Sequence, residues 1–277
     1  MKTNTYLLLF LFSILTTSCS SDDSTTGGND DPTGEIIEDP TMYFPLSVNS
    51  FWTYNNMAEQ VPTTDLLSVT GTENLNSLTY TNLDAELPVN AFMTTLLSQN
   101  LIRTTDTQLV MNGELAAQLA EGFPEITIPL DDFILYNTNA NATDQLDVVS
   151  GQVEQLIEGF LVVIDYEIRS VQGINLTNYS VAGQSFEDVL TSQIIVNLAV
   201  ATQVEITPNI NITVPILTSQ DVLDVTNYYA ANVGLIYSEV LIDYELEDLS
   251  SAGVVLPFPS ESTTTATQSI DTFEIIN

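Results

Sequence analysis

A mainly β fold is what this 277-residue sequence predicts: a curved antiparallel sheet or half-barrel, with one or two short helices against it. Three observations carry the prediction. Segments rich in Val, Ile, Thr, Tyr and Phe recur from residue 51 to residue 276, either alternating apolar with polar residues or running continuously apolar, as strands do. Helical spacing is confined to two short stretches. No break in composition divides residues 42–277, so the strands belong to one domain; a β-sandwich is the alternative arrangement.

The chain opens on a segment that stands apart from this fold. Lys2 supplies a basic start, Tyr6 to Leu15 (YLLLFLFSIL) is apolar, and Thr16-Thr17-Ser18 places small residues before Cys19. An apolar run of about ten residues is roughly half the length of a membrane-spanning helix. Residues 1–18 therefore read as a lipoprotein signal peptide, with Cys19 as the acceptor of a lipid anchor. A structural cysteine in an oxidising compartment would want a disulfide partner, and Cys19 is the only cysteine. Leu15 sits one place further from Cys19 than in the usual signal, and an ordinary cleaved signal with a chance cysteine is the alternative. Residues 19–41 are rich in Ser, Thr, Gly, Asp and Pro and read as a flexible acidic tether. Within it Ser21, Asp22 and Asp23 resemble the export tract that carries Gram-negative lipoproteins to the outer leaflet; a generic acidic linker is the plainer reading.

Strand signals then follow at residues 51–57, 65–70, 76–83, 101–112, 125–136, 160–172, 174–181, 186–206, 222–229, 234–246 and 267–276. The stretch 186–206 is too long for a flat strand and calls for a bend or bulge. Pro129 and Pro215 fall inside strand-like runs, which places them on edges or at bulges. The helix candidates are Pro88 to Asn100 and Gly113 to Gly122; the second spaces Leu115, Leu119 and Phe123 by four.

Charge narrows the chemistry. The chain has 37 acidic and 3 basic residues, a formal charge of -34, yet only 14% of its residues are charged, against about 25% usually. The imbalance comes from missing bases, since Arg103 and Arg169 alone remain once the leader is removed. Nucleic acid is thereby excluded as a partner, and so is electrostatic docking on anionic lipid. With no histidine and no lysine after the leader, neither His-based triads, the usual zinc sites nor Schiff-base chemistry can be assembled. Carboxylate chemistry and calcium held by oxygen ligands survive.

Tyr43-Phe44-Pro45-Leu46 followed by Trp52 and Tyr54 resembles the opening of a family of uncharacterised bacterial surface lipoproteins. Asn49 and Ser50 stand where that family has Gly and Asn, and Asn accepts the positive φ such a turn needs. Near the end, Tyr228-Tyr229-Ala230, then Val233-Gly234-Leu235-Ile236 and Glu239, resemble the family's late hairpin, and Gly183 to Val189 the strand before it. The resemblance implies a curved sheet, similar in shape to lipocalin-like and lipoprotein-carrier half-barrels, without implying an activity.

Candidate sites follow from these constraints. Trp52, Tyr54, Tyr228 and Tyr229 are candidate ligand-facing aromatics on the concave side, with core packing as the plainer reading. Asp165 with Glu167, and Asp243 with Glu245, are i, i+2 pairs on one strand face; brought together they could form a glycosidase or calcium site, and otherwise they form a solvated stripe. Asp131-Asp132 point to opposite faces of a strand. Asn137, Asn139, Asn141 and Asp144 space oxygens like a calcium loop without its central Gly or closing Glu. Arg103 and Arg169 should pair with carboxylates. The expectation is an outward-facing outer-membrane lipoprotein, held by its lipid anchor, that binds an apolar ligand, a glycan or a partner protein. It needs no cofactor and does no catalysis. A carboxylate-dependent glycoside hydrolase and a calcium-stabilised adhesion module are the alternatives.

Overall fold

A computed structural model describes residues 42–118, 125–157, 160–207, 210–248 and 259–276. The signal segment, Cys19, the Ser21 to Asp23 tract and the rest of the tether lie outside the described residues. The first half of the described chain holds β1 (Phe51–Ala58), β2 (Val61–Leu75), β3 (Leu78–Ala85), α1 (Phe92–Gln99), β4 (Leu101–Thr104), β5 (Gln108–Ala117) and β6 (Ile126–Asn137). The second holds β7 (Gln145–Ile157), β8 (Phe160–Gln172), β9 (Leu176–Val181), β10 (Gln184–Thr207), β11 (Ile210–Ala230), β12 (Gly234–Glu245) and β13 (Glu261–Glu274).

These strands form one antiparallel sheet in the order β6-β5-β4-β3-β2-β1-β13-β12-β11-β10-β8-β7, with β9 paired to β10. The sandwich is therefore not formed. Two meanders are joined where β13 inserts between β1 and β12. Tight turns set the register: Glu59-Gln60, Asn76-Ser77 and Ala182-Gly183 each place two consecutive residues at positive φ, as two-residue hairpins of matching twist require.

The sheet curls until its two end strands face each other, leaving a nearly closed half-barrel. No backbone ladder joins β6 to β7. Side chains clasp the seam instead: the Ile134 N–H donates to Asp147 Oδ2 at 3.2 Å, the Asn137 N–H to Gln172 Oε1 at 3.0 Å, and Gln155 Nε2 to the Glu125 carbonyl at 2.9 Å.

Bends fall where the sequence places them. Strand β10 is 24 residues long and shifts register against β11 at four points between Val196 and Thr207. Pro215 sits opposite Ala201 at one such shift, on a stretch of β11 that β12 does not pair. Pro129 lies on β6, a terminal strand of the sheet. Two expectations are corrected. Residues 113–117 belong to β5, not to a helix: Leu115 faces the core opposite Ile128, and tertiary packing overrides the helical spacing. Strand β7 is added to the strand signals: its apolar residues, Leu146, Val148, Val149, Val153, Leu156 and Ile157, follow no single alternation, and none of its residues is buried.

Inward positions alternate with outward ones along each strand, and the inward side chains form a continuous core with α1 packed inside the curl through Met93, Leu96 and Leu97.

Candidate functional site

One end of the half-barrel is filled by rings. Trp52, Tyr54 and Tyr229 are 0% exposed. Phe44 stacks on Trp52 at 5.1 Å between centroids, and Tyr136 meets Tyr229 at 5.0 Å. Trp52 Nε1 donates to the Val233 carbonyl at 2.6 Å and the Tyr54 hydroxyl to the Leu235 carbonyl at 3.2 Å. Gly234 has φ +116, and a Cβ there would lie 2.9 Å from Trp52 Nε1. The opening aromatic motif and the late Val-Gly-Leu motif are thus two sides of one contact. Asn49, at φ 72, makes the turn before β1. Three of the four candidate ligand-facing aromatics are core in this structure. Burial also pushes the Tyr54 and Tyr229 hydroxyls well above their ordinary range.

Tyr228 points the other way. On the outer face it stacks on Tyr179 at 4.6 Å and meets Tyr237 at 5.5 Å, fastening the β9–β10 hairpin over β11 and β12. Burial, reinforced by the Glu239 charge, pushes the Tyr237 hydroxyl up to about 12.

The opposite end of the interior is not filled. A half-open cavity of about 330 Å³ lies between α1 and the inner faces of β10, β11, β12 and β13. Its wall is apolar: Phe92 and Leu96 on the helix side, Val196, Leu198, Val240 and Ala266 on the sheet side. Exposed Asn90, Gln99, Glu114 and Gln118 edge it, and among the described residues Glu114 is the only charged one in the lining.

Two side chains from outside the helix hold α1 as the cavity's wall. Asp65 on β2, 4% exposed, accepts from the Ala91 N–H at 2.8 Å and from the Asn90 N–H at 3.0 Å. Ala91, at the helix start, offers no capping side chain, so this carboxylate satisfies N–H groups there and opposes the positive end of the helix. At the other end Asn100 Nδ2 donates to the Leu96 and Glu114 carbonyls at 2.8 and 3.0 Å, and its Oδ1 accepts from the Glu114 N–H at 2.6 Å. Gly113 leaves room for Asn100, since a Cβ there would come within 1.9 Å of that oxygen. Sequence reasoning missed both residues: a buried Asp within a Thr-rich strand and an Asn after a helix look like solvated groups.

The carboxylate pairs are not brought together. Asp165 and Glu167 lie on the outer face of β8, Asp243 and Glu245 on the outer face of β12, with β10 and β11 between them. Three strand spacings amount to about 14 Å. Asp165 accepts from Gln152 Nε2 at 2.7 Å and Asp243 from the Thr263 hydroxyl at 2.6 Å. Among the described residues no three Asp or Glu side chains are placed to hold a metal ion. The Asn137 to Asp144 loop bonds to itself, with Asp144 Oδ2 accepting from the Asn141 N–H at 2.8 Å.

Both arginines pair as expected. Arg169 Nη2 meets Asp221 Oδ2 at 2.6 Å and its Nη1 meets Glu167 at 3.4 Å, and the guanidinium holds the Asp221 carboxyl below its usual range. Arg103 meets Asp132 at 3.4 Å and lies over the Tyr80 ring, whose hydroxyl bonds Asp132 as well.

No family model matches the sequence, and no curated protein matches it. Among solved structures, a candidate lipoprotein from Parabacteroides distasonis aligns over 86% of this chain and 100% of that one, at 11% identity and a TM-score of 0.34. A likeness of that order is loose and carries no argument about function.

Proposed function

We propose that this chain is a lipoprotein, anchored through Cys19 and facing outward from the outer membrane, whose half-barrel binds an apolar small molecule in the α1 cavity without chemically converting it. The cavity supports this reading. At about 330 Å³ it is roughly twice the ~150 Å³ apolar cavity that takes up benzene, and it falls in the range of small-molecule sites, ~300–1,000 Å³. Every apolar surface a ligand buries there contributes about 25 cal/mol per Å².

Titration of the soluble domain with N-phenyl-1-naphthylamine tests the binding. Its fluorescence should rise saturably, and Leu198→Trp or Val240→Trp, which fill the cavity, should abolish the rise. A wild-type domain that leaves the dye dark rejects the reading. Metabolic labelling with a fatty acid tests the anchor: label should enter the wild-type chain and vanish in Cys19→Ala. A melting temperature unmoved by millimolar calcium is expected; a rise would favour the calcium-stabilised module instead.

A further inference from the structure

The interior contains a second feature that packing does not account for. Asn56 on β1 lies opposite Gln268 on β13, Gln268 opposite Ser238 on β12, and Ser238 opposite Asn227 on β11. Residues directly opposed on antiparallel strands share a face, with Cβ atoms about 4.5–5.5 Å apart, so the four side chains form one row across the inside of the half-barrel. They are 6, 3, 1 and 0% exposed in that order. Gln268 Nε2 donates to Thr94 Oγ1 of α1 at 2.8 Å. Both amide atoms of Asn56, both of Asn227, Ser238 Oγ and Gln268 Oε1 find no partner among the described residues.

Apolar side chains of similar size would fill this layer at lower cost, because buried polar groups need their hydrogen bonds met. No other described side chain meets them. The row lies next to the cavity: Val240 and Ala266, both in the cavity wall, are the next inward residues after Ser238 and Gln268, about 7 Å along their strands.

We propose that this row receives the polar, uncharged end of the molecule whose apolar part occupies the cavity, so that the ligand is a neutral amphiphile ending in a hydroxyl or amide; this rests on the apolar-cavity reading above. The charge distribution selects against other ends. The row holds only amides and a hydroxyl, which donate and accept but carry no charge. Among the described residues Glu114 is the one charged residue in the cavity's lining, and both arginines are engaged with carboxylates elsewhere. A carboxylate or phosphate end would enter a poorly solvated space with no counter-charge. A hydroxyl can both donate to and accept from the amides and the hydroxyl of the row.

Displacement of bound N-phenyl-1-naphthylamine from the soluble domain by 1-octanol, octanoate and 1-chlorooctane tests this. The alcohol should displace the dye at a concentration at least ten-fold lower than the other two. Asn227→Leu, and the milder Ser238→Ala in case the first fails to fold, should bring the alcohol-to-chloride ratio toward one. Equal displacement by all three compounds, or a ratio untouched by a folded variant, overturns the row as a polar site, assigns it to internal water and leaves the cavity reading standing. Failure of the dye to bind at all overturns the cavity reading and this proposal with it.

Discussion

The two ends of the half-barrel interior share one sheet, one alternation of inward residues and one depth of burial, and they differ in what fills them. At one end Phe44, Trp52, Tyr136 and Tyr229 bring large rings into contact and leave no room. At the other, Val196, Leu198, Val240 and Ala266 face α1 across about 330 Å³. Side-chain volume at inward positions, not topology, decides whether such a curl is a core or a container.

Substitutions should break that comparison in a graded way. Trp52→Ala removes the largest ring of the filled end together with its bond to Val233 and should cost about 3–5 kcal/mol, read by urea unfolding. A loss under about 1 kcal/mol would mean the filled end is no better packed than the open one. Asp65→Ala leaves buried N–H groups at the start of α1 unmet and should cost about 1–3 kcal/mol. It should also weaken dye binding, because the helix is the cavity's wall; unchanged binding would detach the helix from the site. Val240→Leu adds volume where space exists and should stay within about 1 kcal/mol of wild type in the same unfolding assay. A larger loss would show that the open end is tightly packed.

The smallest effect concerns the outer tyrosines. Tyr237 has its hydroxyl raised from 10.0 to about 12, so folding favours the neutral form. Its contribution is complete below pH 10 and is lost as pH rises toward 12. Near-ultraviolet titration of wild type against Tyr237→Phe should place the missing ionisation near the upper value; a step near 10 would mean the β9–β10 hairpin is not fastened there.

How much of this could be read from sequence depends on where the signal resides. Alternation in Phe51–Ala58 and Gly234–Glu245, and the excess length of the run ending β10, are local properties and predict the sheet and its bend. Strand β7 escapes notice because Val149, Val153 and Ile157 on one face and Val148 and Leu156 on the other break the alternation, and none of its residues is buried. Ala116 and Ala117 favour a helix locally, yet pairing with Thr127 and Ile126 holds them extended. The large aromatics are conspicuous in sequence for the property that buries them, so they point to the core. The cavity wall draws on residues from Phe92 to Ala266 that only register brings together. Asn56, Asn227, Ser238 and Gln268 look in isolation like ordinary outward-facing strand residues.

The clasped seam has a further consequence. The terminal strands of a sheet offer unmet backbone groups to any neighbour, and chains held at high density are the ones most exposed to that contagion. Here the two margins turn toward each other, and Asp147, Gln155 and Gln172 occupy backbone groups that a foreign strand would use. At this seam, a foreign strand finds those backbone groups already taken.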